Sequence, residues 1–335
     1  MLEPPALDEA ALYAALNAGY GLLAPRVTFL PLGQDSSAWV YRVDAAGGRA
    51  YFLKLRANAV NPAALAVPRY LFEHGAAQVA APLPTLGAAL TQPFDRFSLI
   101  LYPFIEGARP LELTDPPEAW QAFGRLLRQI HATPLPDDLA RLIQRDAFTP
   151  ASHDRVLSQD AHISAGGPSG PFERELAEIW REHQAEIRAV VAQAAVLAPR
   201  LRQSPPGSLV LCHADPHDSN VLVDDQGRLW LVDWDEIGLS LKERDLMFVI
   251  DGLTPAWPTP AGAARFFEGY GAANVDPTAL AYYRADWAAQ DIADFARRVL
   301  AMPAAGHETK REAIEFFKSL FEPGCIVDLA LRSNA

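Results

Sequence analysis

The sequence predicts an α+β fold of two lobes, a small strand-rich N-terminal lobe (residues 1–102) and a large, mostly helical C-terminal lobe (residues 103–335). Three observations carry that expectation. Early in the chain, two strand-like runs, Ala38–Asp44 and Ala50–Arg56, flank a Gly-Gly turn. Beyond residue 110, apolar residues recur at helical spacing instead. Between the helical segments, LVLCHADPHDSNVLVDDQGRLWLVDWDEIG (Leu209–Gly238) returns briefly to strands and sets a polar cluster among them.

Taken in order, Glu9 to about Asn17 reads as a short amphipathic helix, and strand-like runs begin near Val27. AWVYRVD and AYFLKLR around AAGGR form a hairpin, because a Gly-rich turn between β-rich runs supplies the backbone freedom that a tight reversal needs. Ala63–His74 reads as a helix interrupted near Pro68 and ended by Gly75. SLILYPFIEG (Ser98–Gly107) is a strand stopped by Pro103 and Gly107, with a connector near Tyr102–Gly107. In Glu118–His131, the residues Trp120, Phe123, Leu127 and Ile130 line one helical face. Pro134, Pro136 and SAGGPSG (Ser164–Gly170) read as loops, and Phe172–Leu201 as one long helix. Further helices are expected at Ala261–Tyr270, Ala279–Leu300 and Lys310–Leu320.

Half of the residues are hydrophobic, which is ordinary globular composition. Against 29 Lys and Arg stand 41 Asp and Glu, a net charge of −12. That balance argues against a nucleic-acid partner, which needs a basic surface to displace phosphate counterions, and it suits a cationic small molecule. The two cysteines, Cys212 and Cys325, are too few for a disulfide framework. No signal peptide is legible at the N-terminus and no apolar run approaches the roughly 20 residues of a membrane span, so no membrane partner and a cytoplasmic location are expected.

The Leu209–Gly238 stretch carries the chemistry. Read as strand, turn and strand, with Val223 facing Leu229, VLV-DDQGR-LWLVD places Asn220 opposite Val232, beside Asp233. An amide oxygen and a carboxylate then meet at one hairpin end, a hard donor set that suits Mg²⁺. Asp215, five residues before Asn220, is placed to take a proton from a hydroxyl. Phosphoryl transfer asks for little more than cations on the phosphates and a carboxylate that orients the nucleophile. Within AYFLKLR, alternation sets Tyr51, Leu53 and Leu55 on one face and Phe52, Lys54 and Arg56 on the other, so Lys54 is an ammonium in an apolar strand that needs a partner. Asp and Asn favour turns and caps in any protein. His213 and His217 are four apart, as in zinc sites, but Pro216 between them disfavours a regular helix and no third histidine cluster follows. Cys212 reads as buried packing, Asp235 as part of the metal site or the substrate wall, and Glu236 as exposed.

HADPHDSN followed by LVDWDE resembles the catalytic loop and metal motif of the aminoglycoside phosphotransferase family, relatives of the protein kinases. KERDLMF (Lys242–Phe248), FFEGYG (Phe266–Gly271), LAYYR (Leu280–Arg284) and FEPGCIVDLA (Phe321–Ala330) resemble its spectinomycin phosphotransferases, and the likeness spans essentially the whole chain. The resemblance implies a bilobal protein-kinase-like fold using ATP and Mg²⁺. It makes Asp215 the catalytic base and Asn220 and Asp233 metal ligands. His213 becomes a brace of the catalytic loop and Asp245 a buried carboxylate holding that loop's backbone. It also makes Lys54 the phosphate lysine, with Glu73 the nearest glutamate to pair with it. LGQDSSAW (Leu32–Trp39) lacks GxGxxG, so Ser36 and Ser37 would cover the phosphates. Adenine would meet backbone groups around Tyr102, Phe104 and Ile105, since Pro103 has no N–H to donate. The implied acceptor is an aminoglycoside or aminocyclitol hydroxyl, spectinomycin first. A choline-, methylthioribose- or sugar-kinase-like metabolic kinase and a nucleotide-binding regulator without turnover are the alternatives. Trp257, Tyr282, Asp251, Asp286 and Asp291 are available to a cationic acceptor, none of them assigned.

Overall fold

The computed structural model describes residues 3–33, 37–302 and 305–332. In chain order the elements are α1 (Glu9–Tyr20), β1 (Arg26–Leu30), β2 (Ala38–Asp44), β3 (Ala50–Arg56), α2 (Ala63–Glu73), β4 (Gln92–Phe94), β5 (Phe97–Pro103), β6 (Arg109–Pro110), α3 (Pro117–Ala132), α4 (Asp137–Ala140), α5 (His153–Ser164) and α6 (Pro171–Glu182). There follow α7 (Gln184–Gln203), β7 (Val210–Cys212), β8 (Val221–Val223), β9 (Leu229–Leu231), β10 (Gly238–Ser240), α8 (Glu243–Leu246), α9 (Pro260–Tyr270), α10 (Pro277–Leu300), α11 (His307–Ser319) and α12 (Ile326–Arg332). The α+β class expected from the sequence is what the chain adopts. It forms two compact units. One comprises residues 1–110, 135–142 and 220–236, and the other residues 111–134, 143–219 and 237–335. Beyond the expected 1–102 and 103–335 division, two later segments thus return to the first unit.

The first unit is built on an antiparallel sheet in the order β1-β2-β3-β5-β4. The β2–β3 hairpin has the register its turn dictates, from Ala38 opposite Arg56 to Asp44 opposite Ala50. One face of the sheet is apolar: Tyr41, Val43, Leu53, Leu55, Leu99 and Leu101 pack on Leu12 and Leu16 of α1. Asp8 starts α1 by accepting the N–H groups of Ala10 and Ala11, and Gly21 at φ +68° closes it. A second sheet, β6-β8-β9, contains the expected hairpin with Val223 opposite Leu229 and Val221 opposite Leu231. α2 runs through Pro68 rather than breaking there. The proline removes one amide from an eleven-residue helix, and burial of Ala64, Leu65, Val67, Leu71 and Pro68 itself offsets that loss.

The second unit is helical around α10, which packs against α7, α11 and α12 and buries Tyr282, Tyr283, Trp287, Ile292 and Phe295. The long helix expected over Phe172–Leu201 is two helices, α6 and α7, parted at His183 (φ −100°, ψ 12°). There the imidazole stacks on Phe321 with ring centres 4.1 Å apart, a tertiary contact that periodicity does not register. α3 and α9 approach so closely that a Cβ on Gly124 would lie 2.1 Å from the Phe266 carbonyl oxygen, and one on Gly269 2.0 Å from that of Gln121. β7 and β10 pair antiparallel, Cys212 opposite Gly238, and fix both ends of the chain around the catalytic-loop motif.

Candidate active site

In the first unit, alternation along β3 turns Leu53 and Leu55 into the core and Lys54 to the other face. The Lys54 side chain is 8% exposed, and its ammonium lies 2.9 Å from Asp233 Oδ1 and 2.8 Å from Asp235 Oδ2. Burial disfavours the ammonium, but the two carboxylates outweigh it and hold the Lys54 pKa above its ordinary range. Arg56, two residues on and on the same face, also pairs with Asp235. Val232 N–H donates to Asn220 O at 3.0 Å, so the hairpin delivers Asn220 and the Asp233 segment to the same end, as its register requires. Asp233 holds a left-handed backbone, φ +58°, a conformation that Asp tolerates better than most residues. Tyr102 borders the same charges, and burial pushes its phenol up despite the Lys54 charge.

Glu73 is not the partner of Lys54. It lies at the last turn of α2, half exposed, and accepts from Arg69 Nε at 2.7 Å, one helical turn away. The partners are instead Asp233 and Asp235, the first expected as a metal ligand and the second as part of the metal site or the substrate wall. The signal was there: Asp233 and Asp235 sit two apart as the chain leaves a strand, close enough for one cation to meet both.

Of the connector residues, Tyr102 is in register with Phe52, and Phe104 N–H donates to Ala50 O at 3.3 Å. That amide is therefore already used within the sheet, which leaves the Phe104 carbonyl among the backbone groups expected to meet adenine. Arg42 covers the Phe104 ring at 4.3 Å. Alternation along β5 leaves the Pro103 carbonyl on the edge away from β3. Ser37 closes the mouth of the hairpin, its carbonyl accepting from Ala57 N–H at 2.9 Å. Ser36 lies outside the described residues.

In the second unit, Asp245 is fully buried and receives three donors: His213 N–H at 3.0 Å, Ala214 N–H at 2.6 Å and His131 Nε2 at 2.9 Å. A carboxylate only accepts, so His131 carries its proton on Nε2. Its Nδ1 lies 2.8 Å from the Tyr270 hydroxyl. These bonds hold Ala214 at φ +68°, a cost for a residue with a Cβ, and so form the sharp turn that presents Asp215. His213 is itself fully buried, and its Nδ1 accepts from Asp215 N–H at 3.3 Å. His131, Cys212 and Asp245 have donor atoms within 4.8 Å of one another. They form a hydrogen-bonded brace: the Asp245 oxygens are taken by N–H groups, and burial keeps the Cys212 thiol protonated, facing the carbonyls of Ser240 and Leu241.

His217 lies beside Asp215, Nε2 to Oδ1 at 3.5 Å, and its Nδ1 is 3.2 Å from Asp218 Oδ1. On α10, burial and the Asp215 charge push the Asp291 carboxyl up to about 7. Burial likewise lifts Asp286 to about 6 against the pull of Arg244, 3.7 Å away. Trp257 donates to Leu111 O, Tyr282 is core, and Asp251 pairs with Arg284.

Known proteins resemble the chain in sequence and fold. The model of the phosphotransferase enzyme family matches residues 28–286. Protein StrN of Streptomyces griseus is 27% identical over 284 residues, covering 82% of this chain and 80% of its own length. A spectinomycin phosphotransferase, APH(9)-Ia, solved with ADP and spectinomycin, superposes with a TM-score of 0.86 at 29% identity, covering 99% of both chains. Choline kinase LicA from Streptococcus pneumoniae, 17% identical with a TM-score of 0.53 over 93% of this chain and 99% of its own, shares the fold. The chain belongs to the phosphotransferase enzyme family and is a small-molecule kinase that phosphorylates an alcohol group.

Proposed function

We propose that this kinase transfers the γ-phosphoryl group of ATP to a hydroxyl of an aminocyclitol or aminoglycoside, with spectinomycin the leading acceptor. The observation that carries the reading is the buried Lys54 ammonium, held by two carboxylates in a unit that also contains Asn220 and a connector with open backbone groups. A lysine kept charged against burial is what a triphosphate needs. The Pro103 carbonyl, on the open edge of β5, would accept a hydrogen bond from the adenine edge, with Ile105 next in the connector. The full-length likeness to a protein solved with ADP and spectinomycin favours the nucleotide and the acceptor. The chain's net charge of −12 suits a cationic acceptor.

The residues divide the work. Lys54 would clamp the nucleotide phosphates, and Asp215 would orient the acceptor hydroxyl and take its proton as the oxygen bonds to phosphorus and ADP leaves. His213 and Asp245 set the turn from which Asp215 projects. The amide oxygen of Asn220 and the Asp233 carboxylate are a hard pair of donors at one hairpin end, and they fit Mg²⁺, which would neutralise charge on the phosphates.

Mass spectrometry of spectinomycin incubated with the protein and Mg-ATP tests the reading. A gain of one phosphate, lost on Asp215→Asn, is expected. The loss of turnover should be roughly 10²- to 10⁴-fold with ATP affinity little changed. Unmodified spectinomycin beside phosphorylated choline or another amino alcohol would overturn the acceptor.

A further inference from the structure

The loop that carries Asp215 holds a second ionisable group that the reaction above does not use. His217 is tied to the loop backbone, its N–H donating to Asp215 O at 3.0 Å, with Pro216 fixing the geometry between them. Its ring rests on buried Phe248, with ring centres 6.5 Å apart and planes inclined by 36°. Both ring nitrogens face carboxylates, Nε2 towards Asp215 Oδ1 at 3.5 Å and Nδ1 towards Asp218 Oδ1 at 3.2 Å. A neutral imidazole has one N–H, and a carboxylate can only accept. Serving both acids therefore takes both ring protons. Ser219 N–H lies 3.2 Å from Nδ1 and 2.7 Å from Asp218 Oδ1, so its shorter bond is to the carboxylate that also faces Nδ1.

We propose that His217 is an imidazolium that positions Asp215 for proton abstraction, steadied from behind by Asp218. The inference rests on the assignment of Asp215 as the base. The surroundings favour the charge. Burial works against it, but the Asp215 charge and the hydrogen bonds to Asp215 and Asp218 raise the imidazole to about 10. Asp291 faces the same pair from α10, and Arg298 is a second cation nearby. The sequence reading met His217 only as half of a rejected zinc pair. Its spacing from Asp215, with a proline between, is the signal for its role.

The test compares wild type with His217→Gln and His217→Lys. ADP release is measured with an acceptor that wild type turns over, ATP binding is measured separately, and the wild-type imidazoles are examined by nitrogen-15 NMR at about pH 8, above the ordinary histidine pKa. The expected result is an imidazolium at that pH. His217→Gln should lose roughly 10- to 100-fold in kcat, as for a misplaced catalytic group, with ATP binding unchanged. His217→Lys, which restores a cation, should recover much of the loss. A neutral imidazole, a Gln variant as active as wild type, or a Lys variant no better than Gln would each overturn the inference. If wild type phosphorylates no aminocyclitol, the functional reading fails, and the NMR arm still decides the charge of His217. There, loss of the imidazolium signal on Asp215→Asn supports the pairing, and its persistence refutes it.

Discussion

Replacing Asp245 by Asn separates a brace from a bystander. The carboxylate is fully buried and takes N–H donors from His213, Ala214 and His131 at 3.0, 2.6 and 2.9 Å. An amide of the same shape keeps one accepting oxygen and turns an NH₂ towards donors, so about two of the three bonds are lost. Hydrogen bonds to a buried charge are each worth about 1.5–3 kcal/mol, which gives a destabilisation of roughly 3–6 kcal/mol. Unfolding entropy is about 2.1 cal/mol/K per residue, or about 0.7 kcal/mol/K for 335 residues. The melting temperature should therefore fall by roughly 4–9 °C. The released turn also relaxes Ala214 from φ +68°, which moves Asp215. Turnover should then fall about 10²-fold, the usual result of displacing a catalytic group by about 1 Å. Differential scanning fluorimetry and ADP release at saturating ATP read the two effects. An Asn variant that melts within about 1 °C of wild type and keeps its kcat would refute the bracing role.

Lys54→Met should abolish measurable ATP binding by titration calorimetry without unfolding the chain, because the apolar stem remains in β3. Asp235→Asn leaves Lys54 and Arg56 less neutralised, so binding of metal-free ATP should strengthen by about 1 kcal/mol, roughly fivefold at the dielectric of a partly exposed pair. Weaker metal-free binding would contradict that balance. Burial alone would raise the Asp224 pKa, but donors from Trp230, Arg228 and Gln226 prevail and hold it at about 2. Its stabilisation is thus present above the ordinary carboxylate pKa and is lost as pH falls through about 2. Asp224→Asn should therefore cost about 2 kcal/mol near neutrality and nothing in strong acid, as read by urea unfolding across pH. Gly124→Ala should destabilise by several kcal/mol, since its Cβ would meet the Phe266 carbonyl at 2.1 Å, and a neutral result would mean that α3 and α9 can part cheaply.

The sequence was most readable where short-range geometry decides the outcome. The Gly-Gly turn sets the β2–β3 register, and from Val223 opposite Leu229 the position of Asn220 follows by counting. It was least readable where a distant contact decides. Nothing local to His183 predicts that Phe321 will stack on it and split a periodic helix. Pro68 shows the converse, a strong local breaker overruled by the apolar face around it. Positive φ values at Ala214 and Asp233 were also invisible, because neither residue type requires them. Both strained positions lie within the polar motif, where bonds from elsewhere in the fold can hold them.

The misassigned partner of Lys54 carries a further consequence. Had Glu73 been the partner, charge at the phosphate site would depend on the placement of α2. With Asp233 and Asp235 as partners, Lys54, Arg56, Asn220 and the connector all belong to one compact unit. Asp215, His217, Asp218 and the Asp245 brace belong to the other. On the proposed reading, nucleotide affinity would rest on the Lys54 cluster and the seating of the base on the Asp245 brace. Mutants of the two sets should accordingly fall into two kinetic classes, one marked by ATP affinity and the other by turnover.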